Sequence, residues 1–266
     1  MIFMKKVPVV LTVAGSDPSG GAGVEADIKT FTSLGVYGCS VVTAHTVQNT
    51  LGVSEVYPVD KNIIAKQLEA LFSDIEVDVV KVGMIGNLEN AKLISNYLRN
   101  RIVVFDTVYY SKNGFELTKG EEFKEVFGLF ARISYLITPN YVEFQRVAED
   151  DDFEFSKRLL EENENLRGVL IKGGHFDENS KIIMDRLFLK DKNKIELLNF
   201  KHNRIKTKNL HGTGCTLSSA IAAFLAKGYK LEDAVRKAIN YVYRLIKISR
   251  DISLGHGNGP LFHCKS

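Results

Sequence analysis

The sequence predicts an α/β fold, a three-layer α/β/α sandwich around a central, mostly parallel sheet. Two observations carry that expectation. Apolar runs of strand length alternate with amphipathic segments of helical period along the 266 residues, and such alternation builds a parallel sheet covered by helices on both faces. Glycine-rich turns follow the strand-like runs, at Gly15-Ser16-Asp17-Pro18-Ser19-Gly20-Gly21-Ala22-Gly23 and again at Lys172-Gly173-Gly174-His175. An open α/β sheet receives its ligands there, beyond the carboxyl ends of its strands.

In chain order, residues 7–13 form the first predicted strand. The glycine loop and a helix follow, the helix with a buried stripe of Val24, Ile28, Phe31 and Leu34 at helical spacing. A second strand is expected over 39–44, then a long loop and a helix over about 61–72. Residues 77–82 and 102–105 read as buried strands, joined by a helix carrying Leu88, Ala91, Leu93, Ile94 and Leu98. Residues 135–138 and 169–172 continue the series. Between 182 and 200 two strand-like runs flank the polar tetrad Lys190-Asp191-Lys192-Asn193, which reads as a hairpin turn. Two helices close the chain, one after Cys215 and one over about 231–248. The acidic run at 149–152 reads as a solvated helix boundary. No internal repeat is evident, and one domain spanning 1–266 is expected.

Composition narrows the function classes. Hydrophobic residues make up 45% and charged residues 25%, with a formal net charge of only +3. The densest basic cluster, Lys201, Arg204, Lys206 and Lys208, suits a solvated edge strand or a phosphate-attracting rim better than a nucleic-acid reader. No apolar run approaches the roughly 20 residues of a membrane span, and residues 1–13 lack a signal-peptide cleavage pattern. A cytoplasmic protein that binds neither nucleic acid nor membrane is expected. Cys39, Cys215 and Cys264 are an odd number without close pairing, which argues against a disulfide framework or a zinc site.

The most informative stretch is His211-Gly212-Thr213-Gly214-Cys215-Thr216, which runs into an apolar helix marked by Leu217, Ile221, Phe224 and Leu225. The free N–H groups of a first helical turn can receive an anion. The same field favours a thiolate, so Cys215 is expected to ionise near neutral pH, below the pKa of about 8.5 of an ordinary thiol. A small buried residue after a helix-start turn is the competing reading. The loop 15–23 matches neither the dinucleotide fingerprint nor the phosphate loop ending in Gly-Lys-Ser/Thr. Asp27, one helical turn beyond Gly23, could face the loop or water. Asp106 ends the fourth predicted strand, where it could reach a metal or a hydroxyl.

Thr138-Pro139-Asn140-Tyr141-Val142-Glu143 sets an amide and a carboxylate on one side of a helical turn. They could serve a magnesium ion, which takes only one or two protein carboxylates beside a nucleotide, or they could simply cap a helix. Lys172 at a strand end could neutralise phosphate charge. These groups together suggest phosphoryl transfer from a magnesium nucleotide to a small alcohol.

The chain resembles the hydroxymethylpyrimidine/phosphomethylpyrimidine kinases of thiamine biosynthesis, of the ribokinase-like superfamily. The stretches that carry the resemblance are Ala14 through Gly23 with Ala26-Asp27, Gln48-Asn49-Thr50, Lys81-Val82-Gly83-Met84, Thr138-Pro139-Asn140 with Glu143, Lys172-Gly173-Gly174-His175, His211 through Thr216, and Gly255-His256-Gly257-Asn258-Gly259-Pro260. The resemblance implies ATP and Mg2+, and two successive phosphorylations, first of the pyrimidine's hydroxymethyl group and then of the monophosphate. It implies Cys215 as the base, with the amides of Gly212, Thr213, Gly214 and Cys215 around the transferring phosphoryl group.

It further implies an acceptor pocket of Gly15, Asp27, Gln48 and Met84, with Gln48 on the aminopyrimidine ring. Lys172, Asn140 and Thr213 would serve the nucleotide, and Glu143, Asn140 and Asp106 the metal, through its waters for Asn140 and Glu143. A homodimer is implied as well, and no thiamine-phosphate synthase module is expected in the chain. Asp106-Thr107-Val108-Tyr109 stands where Asp-Pro-Val-Met is usual, and His45 and Val47 precede Gln48 in place of smaller or apolar residues. These departures leave the shape of the acceptor pocket open and are expected to spare the nucleotide machinery. Two rival readings are a pyridoxal or pyridoxine kinase of the cysteine-bearing subgroup and a non-catalytic ligand-binding subunit.

Overall fold

The computed structural model describes residues 6–111, 114–148, 151–175, 179–192 and 194–265. Nine strands form one sheet in the order β3-β2-β1-β4-β5-β6-β7-β8-β9. Strands β1 (Val9–Ser16), β2 (Tyr37–Asn49), β4 (Val79–Val82), β5 (Val103–Phe105), β6 (Leu136–Ile137) and β7 (Gly168–Ile171) run parallel. The edges are antiparallel: β3 (Gly52–Pro58) folds back on β2, and β8 (Ile182–Asp191) and β9 (Lys194–Asn203) form a hairpin beside β7.

The period-2 alternation of the central strands divides the core in two. Leu11, Val13, Val80, Val82, Val103, Phe105, Ile137, Val169 and Ile171 face one layer. That layer is built by α2 (Lys61–Asp74), α3 (Leu88–Tyr97), α4 (Gly120–Ala131), α5 (Tyr141–Val147) and α6 (Asp152–Glu162). Val10, Val79, Val104, Leu136 and Leu170 face the other. It consists of α1 (Gly23–Ser33), α7 (Thr213–Ala226) and α8 (Leu231–Ser249). Side-chain oxygens of Asp60, Asn87 and Asp151 accept from first-turn amides of α2, α3 and α6, which fixes where those helices begin.

The largest difference from the sequence expectation is the predicted loop after residue 44. The chain stays extended to Asn49 and turns back as β3, pairing Gln48 with Val53 and Asn49 with Gly52 across a register shift at Val47/Gln48. The arm has polar and exposed residues along much of its length, so no apolar run announces it. Helices α4 and α6 also go beyond the predicted elements, although Phe123, Val126, Phe127 and Phe130 lie at helical spacing. Asp151 of the acidic run caps α6, while Glu149 and Asp150 lie outside the described residues, as do Asn193 of the turn tetrad and residues 1–5. No helix among the described residues is long and apolar enough to cross a membrane.

Candidate active site

The carboxyl ends of the parallel strands converge on the start of α7. Gly212 precedes that helix in the left-handed region at φ 77°, and a Cβ there would stand 1.7 Å from the Gly21 carbonyl oxygen. Only glycine admits this turn and this approach. The glycine loop after β1 therefore lies directly against the mouth of α7, with no side chain capping the helix. Among the described residues, the amides of Gly214 and Cys215 have no acceptor, which is the arrangement an anion needs.

Two buried ion pairs flank this mouth. Lys81 of β4 lies fully buried on the α1/α7 side of the sheet and donates to both carboxylate oxygens of Asp27, at 3.0 and 2.8 Å. Thr12 and Ser219 complete the shell of Asp27 with 2.6 Å hydroxyl bonds. Asp27, expected to meet the acceptor, is thus enclosed and fully committed to protein partners; α1 packs directly on α7 and leaves it no open face. In the second pair, Lys172 donates to Asp106 at 2.7 Å, and Ser218 of α7 donates to the other Asp106 oxygen at 3.2 Å. A Cβ on Gly214 would lie 3.5 Å from the Lys172 ammonium, so Lys172 reaches the helix mouth. Burial opposes the charge of Asp106, but Lys172 and Lys81 outweigh it and hold the carboxyl below its ordinary range.

Cys215 differs from its sequence expectation. Burial pushes its thiol up to about 11, against the opposing pull of Lys81 and the Gly23 amide, and Asp106 and Asp27 push it further the same way. Loss of solvation outweighs the partial charge of one helix end. The thiol is therefore protonated at neutral pH. Alkylation of Cys215, followed on its own peptide, is expected to accelerate about tenfold per pH unit above pH 7, because only the thiolate reacts. A plateau below pH 8 would instead show a depressed thiol.

Asn140 and Glu143 form a reciprocal capping box on α5: Glu143 N–H donates to the Asn140 side chain at 2.9 Å, and Asn140 N–H to Glu143 at 2.8 Å. The helix-start reading is thus realised. Glu143 also accepts from Thr107 Oγ1 at 2.9 Å and from Tyr109 N–H at 3.3 Å. Thr107 and Tyr109, two of the positions that depart from the usual pattern, therefore both bond Glu143. Asp106, Asn140 and Glu143 do not make a cage for direct coordination, since Lys172 holds Asp106 and the cap holds Asn140; among the described residues no cluster of three or more His, Cys, Asp or Glu is arranged for a metal.

Gly15 and Met84, both expected in the acceptor pocket, meet closely, a Cβ on Gly15 falling 2.9 Å from the Met84 sulfur. Gln48 lies at the β2–β3 tip, its Nε2 3.1 Å from His211 Nε2. His45 and Val47 are exposed on the same arm. The closing segment joins this tip to the α7 approach: Asn258 N–H donates to Thr50 O at 2.8 Å, and His211 N–H to Gly259 O at 3.1 Å. Arg204 of the basic cluster holds the Gly174 carbonyl at 3.2 Å. A larger open groove, about 690 Å³, lies under α5 and α6 against Arg186 and Phe188. It contains none of the expected site residues, so chemistry and not volume locates the site.

Lys81, Ser218, Ser219, Asp17 and His211 were given no individual role from the sequence. Lys81 carried a signal, a lone charge inside Val79-Val80-Lys81-Val82; the two serines sit in an apolar helix and carried none.

The model of the phosphomethylpyrimidine kinase family matches residues 17–262. The chain belongs to that family. It is 37% identical over 268 residues to the hydroxymethylpyrimidine/phosphomethylpyrimidine kinase of Escherichia coli strain K12, covering 98% of both chains. It is 41% identical to the thiamine biosynthesis bifunctional protein ThiED of Geobacter sulfurreducens, over 99% of this chain and 54% of that one. The crystal structure of Bacillus subtilis pyridoxal kinase with ADP superposes with a TM-score of 0.82 at 30% identity, over 97% of this chain and 98% of that one. The fold is the ribokinase-like α/β/α sandwich, and this member of the family is a kinase.

Proposed function

We propose that this kinase transfers the γ-phosphoryl group of ATP to the hydroxymethyl group of 4-amino-5-hydroxymethyl-2-methylpyrimidine, and then phosphorylates the monophosphate, within thiamine biosynthesis. The observation that supports the site assignment is the convergence of Cys215, the open amides of the α7 mouth and Lys172. In the first transfer the acceptor oxygen forms its bond to the γ-phosphorus as the bond to the β-phosphate oxygen breaks. Cys215 first gives its own proton to solvent, and its thiolate Sγ then takes the hydroxyl proton. The amides of Gly212 to Cys215 take up charge on the transferring group, and Lys172 turns from Asp106 toward the nucleotide phosphates. Gly15, Met84 and Gln48 face the acceptor.

Asn140 and Glu143, already hydrogen-bonded, retain carbonyl and carboxylate lone pairs that suit contact with a metal's waters rather than the metal itself. Magnesium, when bound, would neutralise phosphate charge there. A homodimer in the cytoplasm, with one kinase domain over residues 1–266, completes the proposal.

The test is an ATP-consumption assay with hydroxymethylpyrimidine, its monophosphate and pyridoxal, with mass analysis of products. Preference for pyridoxal would favour the rival that the likeness to B. subtilis pyridoxal kinase supports. Lys172→Ala is expected to raise the KM for ATP about tenfold or more while binding of the free pyrimidine barely changes, because only the nucleotide loses a charged partner. Equal losses for both ligands would indicate misfolding. Glu143→Gln is expected to raise the magnesium concentration needed for half-maximal rate. An unchanged magnesium dependence would leave Glu143 the helix cap alone.

A further inference from the structure

His211 belongs to the approach to α7, and its side chain reaches both the glycine loop and the β2–β3 tip. Its Nε2 lies 2.7 Å from Asp17 Oδ2 and 3.1 Å from Gln48 Nε2. Asp17 is the hub of the glycine loop: its two oxygens accept from the amides of Ser19, Gly21 and Ala22 and from the Ser19 hydroxyl, at 2.7 to 3.1 Å. Burial opposes its charge, but the His211 and Ser19 bonds outweigh that and hold it at about 2. An ionised Asp17 requires His211 Nε2 to be the donor. A Cβ on Gly21 would stand 2.3 Å from His211 Cδ2, so the ring and the glycine loop are in direct contact.

Proton counting then orients Gln48. A protonated Nε2 has no lone pair for an amide N–H, and its one proton points to Asp17, so Gln48 can only share that proton and must turn its carbonyl, not its amine, toward His211. At the other end Thr46 Oγ1 lies 2.9 Å from Ser16 O and 3.1 Å from the Gln48 amide. Its single proton goes to the Ser16 carbonyl, which leaves Thr46 Oγ1 to accept from the Gln48 amine. Only in this orientation do no two donors face each other, and it leaves Gln48 one N–H and one carbonyl lone pair for a ring.

We propose that His211 is a positioning residue for both sides of the reaction: through Asp17 it holds the glycine loop against the mouth of α7, and through Gln48 it sets which way the acceptor-reading amide faces. The second half rests on the proposed role of Gln48; the first does not. His211 thereby links acceptor recognition to the phosphoryl-transfer loop without touching either reactant.

The test is steady-state kinetics on hydroxymethylpyrimidine and pyridoxal for wild type, His211→Ala, His211→Gln, Gln48→Ala and the His211→Ala/Gln48→Ala double variant, with a thermal melt for each. His211→Ala is expected to lower kcat on either acceptor about 10- to 100-fold with the KM for ATP within about threefold, as for a lost transition-state arrangement. His211→Gln, which still offers an N–H to Asp17, is expected to recover most of that kcat. His211→Ala should also narrow the preference for the pyrimidine over pyridoxal, and the double variant should narrow it no further than Gln48→Ala, because the two residues act as one unit.

A glutamine variant as slow as the alanine variant, at an unchanged melting temperature, would overturn the loop-holding role. Fully additive losses of preference would overturn the link to Gln48. If wild type used pyridoxal alone, the thiamine reading would fail, while the kcat loss and its rescue on pyridoxal would still decide the role of His211.

Discussion

Cys215→Ser is expected to lower turnover on hydroxymethylpyrimidine by about 100-fold or more, the scale of a lost general base, with ATP affinity little changed. The separation follows from geometry. The open amides at the α7 mouth and the Lys172 ammonium belong to groups that the substitution leaves in place. What is lost is a sulfur that can take a proton. Because burial pushes the free thiol up to about 11, the fraction ionised at pH 7 is on the order of 10⁻⁴. The proton must therefore be displaced within the complex or before it forms.

The profile of kcat/KM, which reports groups of the free enzyme, should accordingly rise with pH through the alkaline range in wild type and lose that limb in the serine variant. The sign is that of a raised thiol pKa, whose active form is the deprotonated one. Near-wild-type turnover in Cys215→Ser would return the residue to packing. Cys215→Asp, which keeps a proton-accepting group at the position, should keep part of the activity, with the alkaline limb removed.

The fold was legible because Val10, Val79 and Leu136 alternate with neighbours that face the opposite layer, so the strand runs are apolar on both faces and bounded by glycine turns. The β2–β3 arm was not, because a strand that projects beyond the sheet buries too little to leave an apolar signature; Gln48 was placed in a loop for that reason. At the site, backbone-driven features were readable: the Gly212 turn and the start of α7 follow from local sequence. The sign of the Cys215 shift was not. It depends on burial and on the charges of Lys81, Asp106 and Asp27, from distant parts of the chain, which only tertiary packing brings together. Asp27 was misread for the same reason, since its partner lies 54 residues away on β4.

That buried pair carries the largest expected effect on stability. Lys81→Met should destabilise the protein by about 3–5 kcal/mol, because it leaves the carboxylate of Asp27 without its counter-charge in a site that water does not reach. Spread over the unfolding entropy of 266 residues, this is a fall in melting temperature of roughly 5–9 °C. Adding Asp27→Asn removes the orphan charge; of the Thr12 and Ser219 hydroxyls, which now bond separate Asp27 oxygens, one can still donate to the amide oxygen and the other can accept from the amide N–H, so the double variant should regain most of the loss. A double variant as unstable as Lys81→Met would mean that packing of the lysine stem, and not an unpaired charge, sets the cost.

Stability and turnover should then part company. Among the charges acting on Cys215, Lys81 opposes the effect of burial by more than Asp27 adds to it, so losing both still favours the protonated thiol. The double variant, folded and cooperative in its melt, should therefore show slower alkylation of Cys215 at a given pH and a lower kcat than wild type, whereas a pair that served folding alone would leave both unchanged once stability is restored.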